Sequence, residues 1–232
     1  MEVLQFYSKS KSTHDPVEMG GVRNWRQRLS NFWPVIISPP PITVSDVRVF
    51  NEGIEFSSIE QAFHYAKFQF ATKTMSDSEK QDWFAHYPGM LTSSIPIEHD
   101  QVNDETFAKT IRPFMVNVKK SSGKGKMKKE GYTLNIDVWD VAKVAVMKHL
   151  LRARWVKDDE FRSILMGSKG KYLLHIERSG IKSFWGGSLN KTDQTPQGKN
   201  TLGELMMELR ETMFSQYKQY CQRATGETKE LL

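Results

Sequence analysis

Three stretches of this chain place apolar side chains at helical spacing over several turns, whereas its candidate strands are short and scattered. Residues three and four apart share one face of a helix, so each stretch must bury that face. The first carries Ile59, Ala62, Phe63, Ala66 and Phe70. Ser58 and Gln61 have the spacing of a capping box, in which each side chain answers an orphan amide at the helix start. The second starts at Asp137, a candidate cap, and runs to about Trp155, with Val138, Val141, Ala142, Ala145 and Leu150 inward. The third starts at Thr201, which forms a second capping-box pair with Glu204, and carries Leu202, Leu205, Met206, Leu209 and Met213. A shorter helix is expected from Asp158 to Met166, ended by Gly167.

Between these helices the signals are weaker. Residues 3–7 suit an opening strand, 8–24 a polar loop, and Pro39-Pro40-Pro41 an extended segment. Residues 47–56 read as a hairpin turning at Asn51-Glu52-Gly53. A helix over 76–83 is expected to break at Pro88-Gly89. Residues 119–131 hold six lysines and read as an exposed, mobile basic loop inserted into the domain. Residues 171–177 suit a strand, followed by a glycine-, asparagine- and tryptophan-rich loop over 179–200. The expected fold is α+β: a compact, mostly helical single domain with a few short strands. It spans residues 1–220, with the basic insertion near 119–131 and a polar tail over 221–232.

Composition narrows the function classes. At 232 residues and 38% hydrophobic, the chain needs no disulfide or metal to hold a core. Its single cysteine, Cys221, has no partner for an intrachain disulfide and no neighbours at metal-ligand spacing, which points to a reducing compartment. No stretch approaches the ~20 apolar residues of a membrane span. A soluble, intracellular protein is expected, in cytoplasm or nucleus. The net charge of +6 permits a nucleic-acid or phosphate-bearing ligand without demanding one.

Three groups of residues could carry chemistry. Glu60, His64 and Lys67 form one stripe of the first helix, with Glu60 and Lys67 about 10 Å apart along its axis. A carboxyl group can protonate a leaving base or activate water, and a lysine of lowered pKa can attack an anomeric carbon. The alternative is a solvated face with weak ion pairs. Phe184-Trp185-Gly186-Gly187, with Asn190, Gly198 and Asn200, offers a stacking ring beside glycines that let backbone amides approach a ligand. The alternative is a turn that packs a tryptophan on the core. Residues 198–203 precede a helix, where an anion would be favoured. Asn31, with Phe32 and Trp33, can reach a ligand or cap its own turn. The lysine-rich segment can contact phosphates or simply keep the chain soluble.

Taken together, these pieces resemble the NADAR family, also called YbiA-like. The resemblance rests on Leu29-Ser30-Asn31-Phe32, on residues 58–68 with Glu60-Gln61, Tyr65 and Lys67-Phe68, and on Trp139 with Met147. It continues through Leu173 to Glu177, Phe184-Trp185-Gly186, and Gly198-Lys199-Asn200-Thr201-Leu202-Gly203 with Arg210. The family resemblance implies a mostly helical α+β fold and N-glycosidase activity, associated with riboflavin-pathway intermediates and with ADP-ribose removal from guanine. It implies Glu60 and Lys67 as catalytic residues. It also implies site roles for Trp139, Trp185 and Asn200, and the reading of the residues adds Asn31, Phe32, His64, Gly186 and Gly187 as candidate substrate contacts. The chain departs from the family at Lys182, where members usually have an aspartate three residues before the Trp-Gly pair.

The expected enzyme is an N-glycosidase of ADP-ribosyl-hydrolase type. Its substrate would be an ADP-ribosylated nucleoside or nucleic acid, with no cofactor, metal or membrane involved. In that reading Glu60 moves a proton, and Lys67 stabilises charge or forms a Schiff base with ring-opened ribose. The rivals are a non-catalytic ADP-ribose or nucleic-acid binding module and a hydrolase of riboflavin-pathway intermediates.

Overall fold

A computed structural model of the chain describes residues 2–7, 9, 18–73, 91, 94–97 and 101–225, with backbone alone for 220–225. The helix expected over 76–83 and its break at Pro88-Gly89 lie outside these residues. The α+β, mostly helical expectation agrees with the structure. Helix α1 is the short turn Trp25–Arg28, and α2 is Ile59–Gln69. Helix α3 is a continuous run over 104–121, formed by Asp104–Thr106, a π-helical stretch Phe107–Ile111, and Arg112–Ser121. Helices α4 (Lys124–Lys129), α5 (Ile136–Lys157), α6 (Asp159–Gly167) and α7 (Thr201–Thr225) follow.

The strands pair in twos. β1 (Val3–Phe6) lies parallel to β6 (Tyr172–His175), with Phe6 opposite His175. β2 (Thr43–Val44) pairs with β3 (Val47–Arg48), β4 (Ala71–Lys73) with β5 (Tyr132–Leu134), and β7 (Gly187–Leu189) with β8 (Pro196–Gly198), all antiparallel. Helix α2 is clamped between α3 and α5, while α7 covers β6. Fully buried Phe6, Phe50, Phe68, Phe107 and Phe161 contribute to one continuous core. Burying a side chain of that size is worth about 1.5–3 kcal/mol. Among the described residues, no helix is long and apolar enough to cross a membrane.

Several local expectations are corrected. The hairpin turns at Ser45 and Asp46, both with left-handed φ, and not at Gly53; Phe56 instead bridges to Ile37. Two positive-φ residues give the turn the twist that a two-residue hairpin needs. Ser58 caps α2 as expected, but Gln61 reaches back to the amide of Ser57 and not to that of Ser58. Asn135, and not Asp137, caps α5. The Thr201 and Glu204 side chains look outward from their helix start: Thr201 donates to the Phe184 carbonyl, and Glu204 accepts from the Tyr172 hydroxyl. The backbone of α7 continues past Cys221 to Thr225.

The largest correction concerns 119–131. The expected loop is the end of α3, all of α4 and a tight turn into β5. Val118, Ser121, Ser122 and Met127 are buried, and α3 packs directly on α2. Lysines dominate the exposed face, so the segment's composition looks like a loop although its few apolar residues anchor it.

Candidate active site

A cleft of about 970 Å³ opens between α2, α3, α5 and the segment leaving β6. Asn31, Phe32, Glu60, Phe63, His64, Arg112, Lys119, His175, Glu177, Arg178 and Trp185 all line it. The charged stripe of α2 is therefore no solvated face: Glu60 and His64 are each only 7% exposed. His64 Nε2 lies 3.0 Å from Glu60 Oε1, and its Nδ1 lies 2.5 Å from the buried hydroxyl of Ser122. Burial pushes the Glu60 carboxyl up. The His64 hydrogen bond, with the charges of His64, Lys119 and His175, more than offsets this and leaves its pKa below the ordinary carboxylate value. Glu60 is thus a desolvated group held as an anion, able to accept a proton.

Asn31 is placed by the loop it ends. The buried Arg154 guanidinium bonds the carbonyls of Arg28 and Ser30 while pairing with Asp158, and the Asn31 carbonyl accepts from the Glu60 amide. The Asn31 amide nitrogen lies 3.7 Å from Met147 Sδ, and its Oδ1 is buried without a hydrogen-bond partner among the described residues. Asn31 lines the cleft, but its Oδ1 has almost no accessible surface, so a ligand N–H or O–H reaches it only if the side chain turns toward the cleft.

The opposite wall follows β6. His175 stacks on Phe6 at 5.1 Å, and its Nδ1 lies 3.3 Å from the Trp185 carbonyl. Burial lowers its pKa, which favours the neutral ring. Glu177 accepts from the Ser183 hydroxyl. Trp185 stands edge-on to Phe63 at 5.4 Å, leaving part of the ring to the cleft.

Other candidates sit behind the lining. Lys67 donates to the Ser122 carbonyl at 2.6 Å and is not among the cleft residues; burial lowers its pKa. Trp139 is buried behind Phe63, packed between it and Phe70. Asn200 is occupied by β6: its Oδ1 accepts from the His175 amide and its Nδ2 donates to the Leu173 carbonyl. The Gly186 amide is likewise engaged within the protein. The Gly186 amide donates to Ser183 Oγ, and a Cβ on Gly186 would sit 2.7 Å from the His175 carbonyl oxygen. On Gly187 it would sit 2.3 Å from the Gln197 carbonyl oxygen, so these glycines allow backbone to meet backbone. At the start of α7 the Leu202 amide is engaged by the Trp185 carbonyl.

Arg112, Ser122, His175 and Glu177 are additions that sequence reasoning missed, whereas Lys119 belongs to the lysine-rich segment expected to contact phosphates. His175 and Glu177 are two apart, the spacing of one strand face, which is the one local signal that could have joined them. Ser122 carried no local signal at all. Among the described residues, no three His, Cys, Asp or Glu side chains cluster at metal-binding range.

The NADAR domain model matches residues 22–214, a span that contains all the lining residues named above. The chain belongs to the NADAR family. A stretch of 75 residues is 35% identical to N-glycosidase YbiA of Shigella boydii serotype 4 (strain Sb227), covering 32% of this chain and 42% of that relative. The match therefore spans less than half of that protein's length. The NMR structure of the E. coli protein YbiA aligns over 93% of this chain and 87% of its own, at 20% identity and a TM-score of 0.47. Within this NADAR domain, Glu60 and His64 from α2 face His175 and Glu177 from the β6 side across the cleft.

Proposed function

We propose that the chain is an N-glycosidase that hydrolyses the bond between a ribosyl group and a nitrogenous base, with an ADP-ribosylated nucleoside or nucleic acid as substrate. The observation that carries this reading is the buried, anionic Glu60 opening into a cleft that is also lined by the Trp185 ring and Asn31. The relative named as an N-glycosidase adds support.

In the reaction, Glu60 takes a proton from water as the water oxygen bonds to the anomeric carbon. The carbon–nitrogen bond breaks, and the proton passes to the departing nitrogen. Trp185 offers a face to the base, and Asn31, with its side chain turned into the cleft, accepts from a hydroxyl or amide of the substrate. Arg112, Lys119 and Arg178 line the cleft without an ion pair to any described residue, which suits a diphosphate. The exposed lysines of α4 extend this positive surface beyond Lys119 and suit a nucleic-acid strand. Lys67 joins the chemistry covalently only if its ammonium leaves the Ser122 carbonyl; a Schiff base there would be fixed by borohydride during turnover.

Mass spectrometry after incubation with ADP-ribosylated guanosine and ADP-ribosylated DNA tests the reading. Free ADP-ribose and the unmodified partner are expected. Saturable binding with neither product released would leave a binding module. Release of base from riboflavin-pathway intermediates alone would move the substrate class.

A further inference from the structure

His64 stands between two buried partners, and the second of them, Ser122, is also where Lys67 is anchored. Ser122 is fully buried, 58 residues from His64, at the turn joining α3 to α4. Its hydroxyl lies 2.5 Å from His64 Nδ1 and 3.2 Å from the Lys119 carbonyl oxygen, while its own carbonyl accepts from Lys67 at 2.6 Å. A hydroxyl has one proton to donate and lone pairs to accept with, so it can serve a neutral or a protonated imidazole equally. An unmade bond here would be costly, because no water reaches the group.

We propose that Ser122 is a positioning residue that sets the proton arrangement of the Glu60–His64 pair, and that Lys67 holds Ser122 in place. In the resting arrangement the Ser122 hydroxyl donates to His64 Nδ1. This fixes the ring proton on Nε2, where it donates to the Glu60 carboxylate and keeps Glu60 a base. When Glu60 takes a proton from the attacking water, Ser122 still donates to Nδ1 and the ring keeps its proton on Nε2, so the added proton stays on the Glu60 carboxyl, facing the cleft and the leaving nitrogen. Returning the proton to the leaving nitrogen restores the first arrangement, so one proton enters and one leaves. The charged and titratable groups facing the pair are Lys119 and Arg112 from α3, and His175 and Glu177 from the β6 side. The inference rests on the reading of Glu60 as the proton-transfer group, but its first test needs no substrate.

That test is NMR of the full chain with labelled histidine rings and glutamate carboxyls, followed over pH. The expected result is His64 protonated on Nε2 at neutral pH in the wild type. In Ser122→Ala the ring should become a mixture of tautomers, and the Glu60 carboxyl should titrate about one pH unit higher, having lost a fixed donor. Ser122→Thr should restore the wild-type pattern if it folds, and Lys67→Met should shift Glu60 in the same direction by less. A wild-type His64 protonated on Nδ1, or a Ser122→Ala protein with unchanged Glu60 titration, overturns the proposal. The wild-type measurement decides even if the variants do not fold. If the NMR pattern holds but no substrate turns over, the glycosidase reading fails and the proton arrangement stands. In an active enzyme, Ser122→Ala should lower kcat at least tenfold and move the acid limb of its pH profile, with KM within about twofold. A normal kcat and pH profile would sink the catalytic part.

Discussion

The two walls of the cleft are built on opposite plans. On the α2–α3 wall, Glu60, His64, Ser122 and Lys67 bond one another side chain to side chain or side chain to backbone. On the β6–β7 wall, side chains bond mainly backbone: Asn200 holds the His175 amide and the Leu173 carbonyl, Ser183 Oγ accepts from the Gly186 amide, and His175 Nδ1 lies against the Trp185 carbonyl. The first wall concentrates buried ionisable groups and can set where a proton resides. The second fixes the shape of the opening and the pose of an aromatic ring. Damage to the first should therefore appear in chemistry, and damage to the second in stability and binding.

Glu60→Gln gives the sharpest contrast. It retains an oxygen for His64 yet removes the base, so kcat on ADP-ribosylated guanosine should fall about 10²–10⁴-fold with melting temperature nearly unchanged. A collapse of the fold would instead assign Glu60 to architecture. Asn200→Ala attacks the other wall. It orphans the His175 amide and the Leu173 carbonyl, and urea unfolding should show a loss of about 2–4 kcal/mol. Normal stability with a raised KM would return Asn200 to the substrate.

Trp185→Ala should weaken ligand binding by about 1–3 kcal/mol, the usual worth of a base stacked on an aromatic ring. Calorimetry with ADP-ribose or a modified nucleoside, beside thermal melting of the same variant, separates this from loss of packing. The smallest effect concerns pH. Burial depresses the pKa of His175 below its ordinary 6.5 in the folded chain. The unfolded chain then binds more protons as pH falls from 6.5 through the folded value, so folding stability should decline across that window. His175→Asn should flatten that part of the stability profile. An unchanged slope would show that another group carries it.

Local periodicity in the sequence carried the fold class and half of the candidate site. The stripe of Glu60, His64 and Lys67 follows from 3.6 residues per turn, and Ser58 marks its start. Asn31 and Trp185 were legible as residue types suited to ligands, and both line the cleft. Spacing could not say whether the stripe was wet or buried, because that depends on α3 covering α2. Nor could it foresee that a lysine-rich segment folds as helix, since the burial of Met127 and Ser122 outweighs composition there.

By itself the sequence determined the approximate places of α2, α5, α6 and α7 and which carboxylate and lysine share a stripe, while Val141 and Ala145, at inward spacing on α5, are exposed. Tertiary structure alone decided that Lys67 points to Ser122, that Trp139 lies behind Phe63, that Asn200 serves β6, and that Glu177 stands at the cleft where Lys182 does not. Helix periodicity is an interaction between neighbours along the chain, so the sequence shows it directly. Which faces meet is settled by packing between segments far apart in sequence, as with the 58 residues between His64 and Ser122 or the 124 between Ser30 and Arg154. No local pattern encodes those distances.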